Sequence, residues 1–205
     1  MRKRRSTISH NTWLHKIVTI AVKPLVNTPI VPNQITTMRL ATGLAAASCF
    51  AVGDNNYMMI GSGVFVLSLL LDRADGILAR LSGKTSPGGH KYDLISDSIS
   101  NAAAFFGIGI VLRHSELGEL AIPLGIIAGA AVTAILWLVM RAEKKEGTRV
   151  AELGGSAGFD PDDAMLIIPA ALLCGWGLEL IVAAAFGTSI FAIFFFFKFR
   201  RFFRS

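Results

Sequence analysis

Cysteine is scarce in this chain: its two cysteines, Cys49 and Cys174, fall in separate apolar stretches. They lack the close spacing of metal-ligating thiolates, so we expect ordinary buried thiols. Charged residues are also few, at 17% of the 205 residues. The start is basic, but no apolar core with a small-residue cleavage site follows it closely, so we expect no cleaved signal peptide.

Hydrophobic residues, by contrast, make up 53% of the chain and form repeated apolar runs. Runs of about 18–25 residues are long enough to cross a bilayer. The sequence therefore predicts an all-α integral membrane protein without a separate soluble domain. Hydropathy places six transmembrane helices at about 34–53, 57–81, 88–112, 118–141, 162–178 and 180–199.

The first 32 residues are expected to form a basic cytosolic tail and one interfacial helix, ahead of a membrane domain over 33–205. Residues 11–30 carry apolar side chains at helical spacing, which suits an amphipathic helix lying in the interface with Trp13 as an anchor. Pro29 and Pro32 break this helix, and Asn33 is positioned to cap the next one.

The net charge of +6 is distributed around the apolar runs, which favours anionic lipid over nucleic acid as a partner. The loops at 53–56 and 175–177 carry no Lys or Arg, whereas 141–149 carries four basic residues. Basic loops stay on the cytosolic side. We therefore expect a multi-pass protein of the cytoplasmic membrane with both termini cytosolic.

Four aspartates interrupt the apolar pattern within the second and third predicted spans: Asp72, Asp75, Asp93 and Asp97. The first two are three residues apart and the last two are four apart, so each pair shares one helix face. An antiparallel hairpin of these helices brings all four to one level, roughly 12 Å inside the cytosolic end.

Four clustered carboxylates would repel one another, and bound divalent cations are the simplest way to keep them ionised. Hard oxygen ligands suit Mg²⁺ or Mn²⁺, and a two-metal site could neutralise a diphosphate and activate a hydroxyl. Gly76 and Ala79 keep the nearby helix surface thin, and Arg80 can pair with phosphate. Acids in a bundle also occur in metal or proton transporters, so that class stays open.

The same residues fill every fixed position of D-x2-D-G-x2-A-R-x8-G-x3-D-x3-D, from Asp72 through Gly89 to Asp97. In this motif and in its layout the chain resembles the CDP-alcohol phosphotransferase family, and among its members the small bacterial-type phosphatidylglycerophosphate and phosphatidylinositol-phosphate synthases. The resemblance implies a transferase of phospholipid synthesis that uses CDP-diacylglycerol and releases CMP at the cytosolic face. We also expect a homodimer.

The resemblance implies roles for individual residues. Two Mg²⁺ or Mn²⁺ ions would be held by Asp72, Asp75, Asp93 and Asp97, with Asp97 also the catalytic base. The CDP part would contact Asp72, Gly76, Ala79 and Arg80, joined by Asn33 and Thr36. Arg39, which follows them in the first span, is also expected to line the donor pocket.

The acceptor alcohol is open. Arg141, Lys144 and Arg149 are candidates for binding an acceptor phosphate, whereas Asp163 in the acidic cluster at 160–163 would suit a cationic or neutral acceptor. That cluster can equally cap a helix that starts at Pro161. A further alternative is transfer of a phospho-amino-alcohol from CDP-choline or CDP-ethanolamine to a lipid alcohol.

Overall fold

The computed structural model describes residues 13–146 and 165–199, and the regular structure within these ranges is helical. The first four predicted spans and the sixth each coincide approximately with one helix in their described parts. The helices are α1 (Trp13–Val22), α2 (Pro32–Val52), α3 (Asn55–Leu81), α4 (Pro87–Leu112), α5 (Ala121–Glu146), α6 (Ile167–Leu173) and α7 (Gly177–Phe199). Short 3₁₀ helices at Lys23–Asn27 and Gly118–Leu120 follow α1 and precede α5.

Four helices of the described chain are long and apolar enough to cross a membrane, at Pro32–Val52, Pro87–Leu112, Gly118–Leu138 and Gly177–Phe197. The six-span count thus stays a prediction. Of the fifth predicted span, α6 contributes seven helical residues, which cover only about 10 Å at 1.5 Å per residue. Its predicted start at 162–164 lies outside the described residues.

Helix α2 lies against both α3 and α4, whereas α3 and α4 hardly contact each other. Two glycines permit the close approach of α2 and α4. A Cβ on Gly107 would lie 2.3 Å from the carbonyl oxygen of Ala47, and one on Gly43 would lie 2.6 Å from Ser100 Oγ. Helix α2, not a direct α3–α4 contact, therefore sets the relative position of the two acid-bearing helices.

The predicted cap of α2 is wrong by two residues. Val31 is the N-cap, with extended backbone, and its N–H donates to Gln34 Oε1 at 3.1 Å. Pro32 takes the first helical position, where its missing N–H costs no hydrogen bond. Asn33 thus falls inside the first turn, and its side chain is available for another role.

Helix α1 packs on the C-terminal part of α3. Val18 and Val22 are buried with Ile77 and Leu78, while Ile17 is exposed. Part of the apolar face of α1 thus serves the protein core. The interfacial location of α1 stays a prediction, and the side chain of Trp13 lies outside the described residues.

The second half of the molecule is held together by apolar contacts of α5 with α4 and α7. Phe50, Phe65 and Phe105 of α2, α3 and α4 join Val132 and Ile181 in one continuous buried cluster. The expectation of buried thiols is only partly right, because Cys49 is half-buried and Cys174 is exposed.

Candidate active site

Three of the four motif acids meet in the structure. Asp72 of α3 and Asp93 and Asp97 of α4 each offer a carboxylate oxygen, and these oxygens lie within 4.8 Å of one another. All three side chains are partly buried, which leaves them accessible from one side. This grouping agrees with the convergence predicted from the two helix faces.

Asp75 lies outside that group of three. It is 4% exposed, and its Oδ2 accepts a 2.5 Å hydrogen bond from Thr36 Oγ1 of α2. The prediction from sequence folded α3 and α4 into a simple hairpin, with all four acids at one level. It did not include α2, whose Thr36 hydroxyl binds the Asp75 carboxylate apart from the other three acids.

Arg39 of α2 contacts two of the motif acids. It was expected to line the donor pocket, but its guanidinium is 1% exposed and sits against the acids. Nε lies 3.2 Å from Asp72 Oδ1, and Nη2 donates to Asp97 Oδ1. One arginine therefore connects an acid of α3 to an acid of α4.

A cleft beside the acids collects the predicted nucleotide-binding residues. Asn33, Thr36, Gly76, Ala79 and Arg80 all line it. Also lining the cleft are Pro32, Asp75, Lys84, Thr85, Ser86, Gly89, His90 and Asp93. Asp72, also expected at the CDP part, is not among the lining residues.

The cleft lining also includes residues that were not among the predicted site residues. His90 lies near the start of α4, and Lys84, Thr85 and Ser86 lie in the loop between α3 and α4. Their position between two motif helices was the available signal, because a short loop joining those helices has to lie beside the motif.

The motif glycines have different surroundings. A Cβ on Gly89 would lie 3.0 Å from Ser86 Oγ and 3.1 Å from Asn33 Oδ1, so Gly89 allows α4 to approach α2 at the cleft. Ser86 caps α4 there by accepting from the Gly89 N–H at 2.9 Å. A Cβ on Gly76 would meet only the Arg80 guanidinium, at 3.7 Å, so Gly76 keeps open space beside that cation.

Of the four acceptor candidates, Arg141 is the one whose side chain the structure describes. Arg141 is exposed and stacks over the Trp137 ring, with 4.2 Å between its Cζ and the ring centroid. Lys144 lies in α5, but its side chain is outside the described residues, as are Arg149 and Asp163 entirely. Their roles stay predictions.

The donor set suits a hard divalent cation. Carboxylate oxygens are the ligands that Mg²⁺ and Mn²⁺ prefer, and the described group contains no thiol or imidazole. Three carboxylates within 4.8 Å would otherwise repel strongly, and Arg39 offsets only one of their charges. The residues present therefore fit the expected metal.

Comparisons with known proteins agree with this geometry. The model of the family described as CDP-alcohol phosphatidyltransferase matches residues 29–197. Archaetidylinositol phosphate synthase of Pyrococcus horikoshii is 34% identical over 88 residues, which is 43% of this chain and 45% of that protein. The chain thus aligns with less than half the length of this curated relative.

A solved structure has a similar fold. Phosphatidylinositol phosphate synthase of Mycobacterium tuberculosis, crystallised with CDP-DAG bound, superposes with a TM-score of 0.64 over 87% of this chain and 92% of that one. The two are 21% identical, so the likeness concerns the fold alone. The family match, in contrast, includes α2, α3, α4 and all four motif acids, and the chain therefore belongs to the CDP-alcohol phosphatidyltransferase family and is a transferase.

Proposed function

We propose that this protein transfers a phosphatidyl group from CDP-diacylglycerol to a hydroxyl of a polar, phosphate-bearing acceptor and releases CMP. The observation that carries the proposal is the group formed by Asp72, Asp93 and Asp97 next to a cleft lined by Gly76 and Arg80. Family membership supports the reaction type. It also leaves the transporter interpretation without support.

Each residue has a chemical task in this reaction. Asp97 accepts the proton of the acceptor hydroxyl, and the hydroxyl oxygen bonds to the phosphorus next to the diacylglycerol. The bond from that phosphorus to the oxygen bridging it to the cytidylate breaks, and CMP leaves with the bond electrons. Arg80 pairs with the charge on CMP, since a guanidinium matches phosphate oxygens well.

Asp72, Asp93 and Asp97 would hold the divalent ions, with Asp75 as the fourth expected ligand. Two ions, when bound, would neutralise the diphosphate and polarise its phosphoryl oxygens. Thr36 keeps Asp75 in one orientation through its 2.5 Å hydrogen bond. Asn33 and Ala79 bound the space into which the nucleotide fits.

The phosphate on the acceptor is supported by the relatives, because the names of both describe synthases of inositol phosphate lipids. Arg141, Lys144 and Arg149 remain the candidate partners of that phosphate. Replacing each with Gln should raise the acceptor KM about tenfold or more and leave the donor KM nearly unchanged, since each charge-assisted contact contributes about 1.5–3 kcal/mol. If Asp163→Asn raises the acceptor KM instead, the acceptor is cationic or neutral.

One assay tests the whole proposal. Purified protein is incubated with CDP-diacylglycerol, CDP-choline or CDP-ethanolamine, each against glycerol phosphate, inositol phosphate, inositol and an amino alcohol, and CMP release is measured. We expect CMP release with CDP-diacylglycerol and a phosphate-bearing acceptor, its loss in EDTA and its return with Mg²⁺ or Mn²⁺. Release only from CDP-choline or CDP-ethanolamine, or full turnover in excess EDTA, would contradict the proposal.

The cytosolic orientation of the site is a separate part of the proposal. In a variant with Cys49 and Cys174 replaced by Ser, a cysteine at Lys84 should react with an impermeant maleimide from the cytosolic side. A cysteine at Asn55, in the turn at the other end of α3, should react only from the opposite side. The reverse pattern would overturn the charge-based topology. The expected homodimer also stays a prediction.

A further inference from the structure

Arg39 is a charge enclosed in the protein. Among the described residues it is the largest fully buried side chain, at 1% exposure, in a helix apolar and long enough to cross a membrane. A charge in such a position is costly unless it is paired and hydrogen-bonded, and it is retained mainly where it has a function. Its pairing partners therefore indicate that function.

Both partners of Arg39 belong to the proposed catalytic group. The guanidinium contacts Asp72 through Nε at 3.2 Å and Asp97 through Nη2. These acids lie on α3 and α4, which hardly contact each other. The planar fork of Arg39 is thus a direct link that fixes the carboxylate of one helix relative to that of the other.

The backbone of Arg39 is itself held in place. Its carbonyl oxygen accepts from Ser68 Oγ of α3 at 2.9 Å and from Thr42 Oγ1 at 2.8 Å. Ser68 is 2% exposed, so this contact is inside the protein. The guanidinium therefore extends from a fixed point of α2 and is not a freely moving surface cation.

Charge gives a second reason for the position of Arg39. The Arg39 guanidinium places one positive charge directly against two of the three clustered carboxylates. Arg39 thus limits repulsion among the acids while leaving a negative site for a cation.

We propose that Arg39 is a positioning residue: it orients Asp97 as the base and Asp72 as a metal ligand, and it does not contact the substrate. This inference rests on the proposed function. The alternative is a direct contact with the donor diphosphate. The Arg39 guanidinium is 1% exposed and is engaged by Asp72 and Asp97, whereas Arg80 lines the cleft, which favours the indirect role.

The experiment compares Arg39→Lys and Arg39→Met with Ser68→Ala, a matched control that removes a buried hydrogen bond to the backbone of Arg39 but leaves the guanidinium. Mn²⁺ affinity is measured without substrate by electron paramagnetic resonance, and kcat and KM are measured by CMP release. Lysine keeps the charge but cannot reach both carboxylates with a planar fork.

For Arg39→Lys we expect kcat to fall and Mn²⁺ binding to weaken about 10- to 100-fold each, as for other residues that orient metal ligands, with the donor KM changed less than about threefold. Arg39→Met should lose more of both. Ser68→Ala, which loosens the backbone anchor but keeps the guanidinium, should lose thermal stability and weaken Mn²⁺ binding by less than about threefold. If Arg39→Met does not fold, the pair Arg39→Met with Asp97→Asn, which removes both charges, should recover folded protein.

Three outcomes would overturn the inference. The first is a raised donor KM with unchanged kcat in Arg39→Lys, which would place Arg39 on the diphosphate. The second is Mn²⁺ affinity and kcat in Arg39→Lys that match Ser68→Ala. The third is failure of the charge-free pair to fold where Arg39→Met also fails. Absence of CMP release by the wild type would instead refute the proposed function and is read from the same assay.

Discussion

The two halves of the helix bundle bury different chemistry. Every buried polar or charged side chain of the described chain belongs to α2, α3 or α4, among them Arg39, Asp75 and Asn101. In α5, α6 and α7 the buried side chains of the described residues are apolar, with Ala128, Ile168 and Ile181 as examples. The first half carries the acids, and the described buried side chains of the second half contribute apolar packing.

This difference links the buried polar side chains to function and the buried apolar side chains to stability. Buried polar groups are retained at a cost when they position reacting atoms, and apolar contacts stabilise without such a constraint. Substitutions in the α2–α4 half should therefore reduce turnover or binding more than stability. Substitutions of buried residues in the α5–α7 half should do the opposite.

The largest expected effect is at Asp97. Asp97→Asn removes the base while keeping the size of the side chain, so kcat should fall about 10²- to 10⁴-fold. Binding of the CDP donor should suffer less than in Asp72→Asn or Asp75→Asn, because those changes remove an expected metal ligand. CMP release and nucleotide binding, measured on the same purified proteins, separate the two effects.

Asp54→Asn is the matched control for these aspartates. Asp54 is exposed at the far end of α3, where it caps the helix by accepting from the Asn56 N–H at 2.8 Å. Asparagine caps almost as well, so stability and kcat should hardly change. Equal loss of CDP binding in Asp72→Asn, Asp75→Asn and Asp97→Asn would show that Asp97 has no separate role as base.

A smaller effect is expected where α4 approaches α2 at the cleft. In Gly89→Ala the added methyl group would lie 3.0–3.1 Å from Ser86 Oγ and Asn33 Oδ1, so both must shift. We expect the donor KM to rise about tenfold, because small displacements of positioning groups are costly. Gly88→Ala is the control, since nothing lies within 4 Å of its Cβ position and it shares the gain in helix propensity.

Gly88→Ala should therefore behave as wild type in both KM and kcat. The comparison of Gly89→Ala with Gly88→Ala tests whether packing within the α2–α4 half affects binding of the donor. A Gly89→Ala protein with wild-type donor KM would mean that the cleft accommodates the methyl group, and that Asn33 does not need its present position to bind the donor.

The helices and the acid grouping were predictable because both follow from local patterns. Apolar run length locates α2, α4, α5 and α7, and spacings of three and four residues place Asp72 on one helix face and Asp93 with Asp97 on another. The meeting of three of these acids was predicted from a hairpin of α3 and α4 joined by a short loop, whereas in the structure α2 packs against both helices and sets their relative position. The run lengths and spacings themselves depend only on residues close in sequence, so they hold however the helices pack.

The contribution of α2 was not predictable in the same way. The contacts of Arg39 with Asp97 and of Thr36 with Asp75 span 58 and 39 residues of sequence, and no periodicity encodes such pairs. A single arginine in an apolar helix was a usable signal, since such a charge needs an acidic partner. Which acid it meets depends on the packing of α2 between α3 and α4.

The smallest expected effect on activity comes from the seam of the apolar half. A Cβ on Gly129 of α5 would lie 2.9 Å from the Cα of Ala102 of α4, so Gly129→Ala must push two helices apart. Such overpacking costs about 1–3 kcal/mol, against a gain of at most about 1 kcal/mol from helix propensity. The variant should unfold at a lower temperature in detergent, with kcat of the folded protein within about twofold of wild type.

Gly187→Ala in α7, where nothing lies within 4 Å of the Cβ position, should lose no stability. A Gly129→Ala protein of normal thermal stability but greatly reduced kcat would show that the α4–α5 seam controls the acids of α4, and that the two halves do not divide chemistry from support.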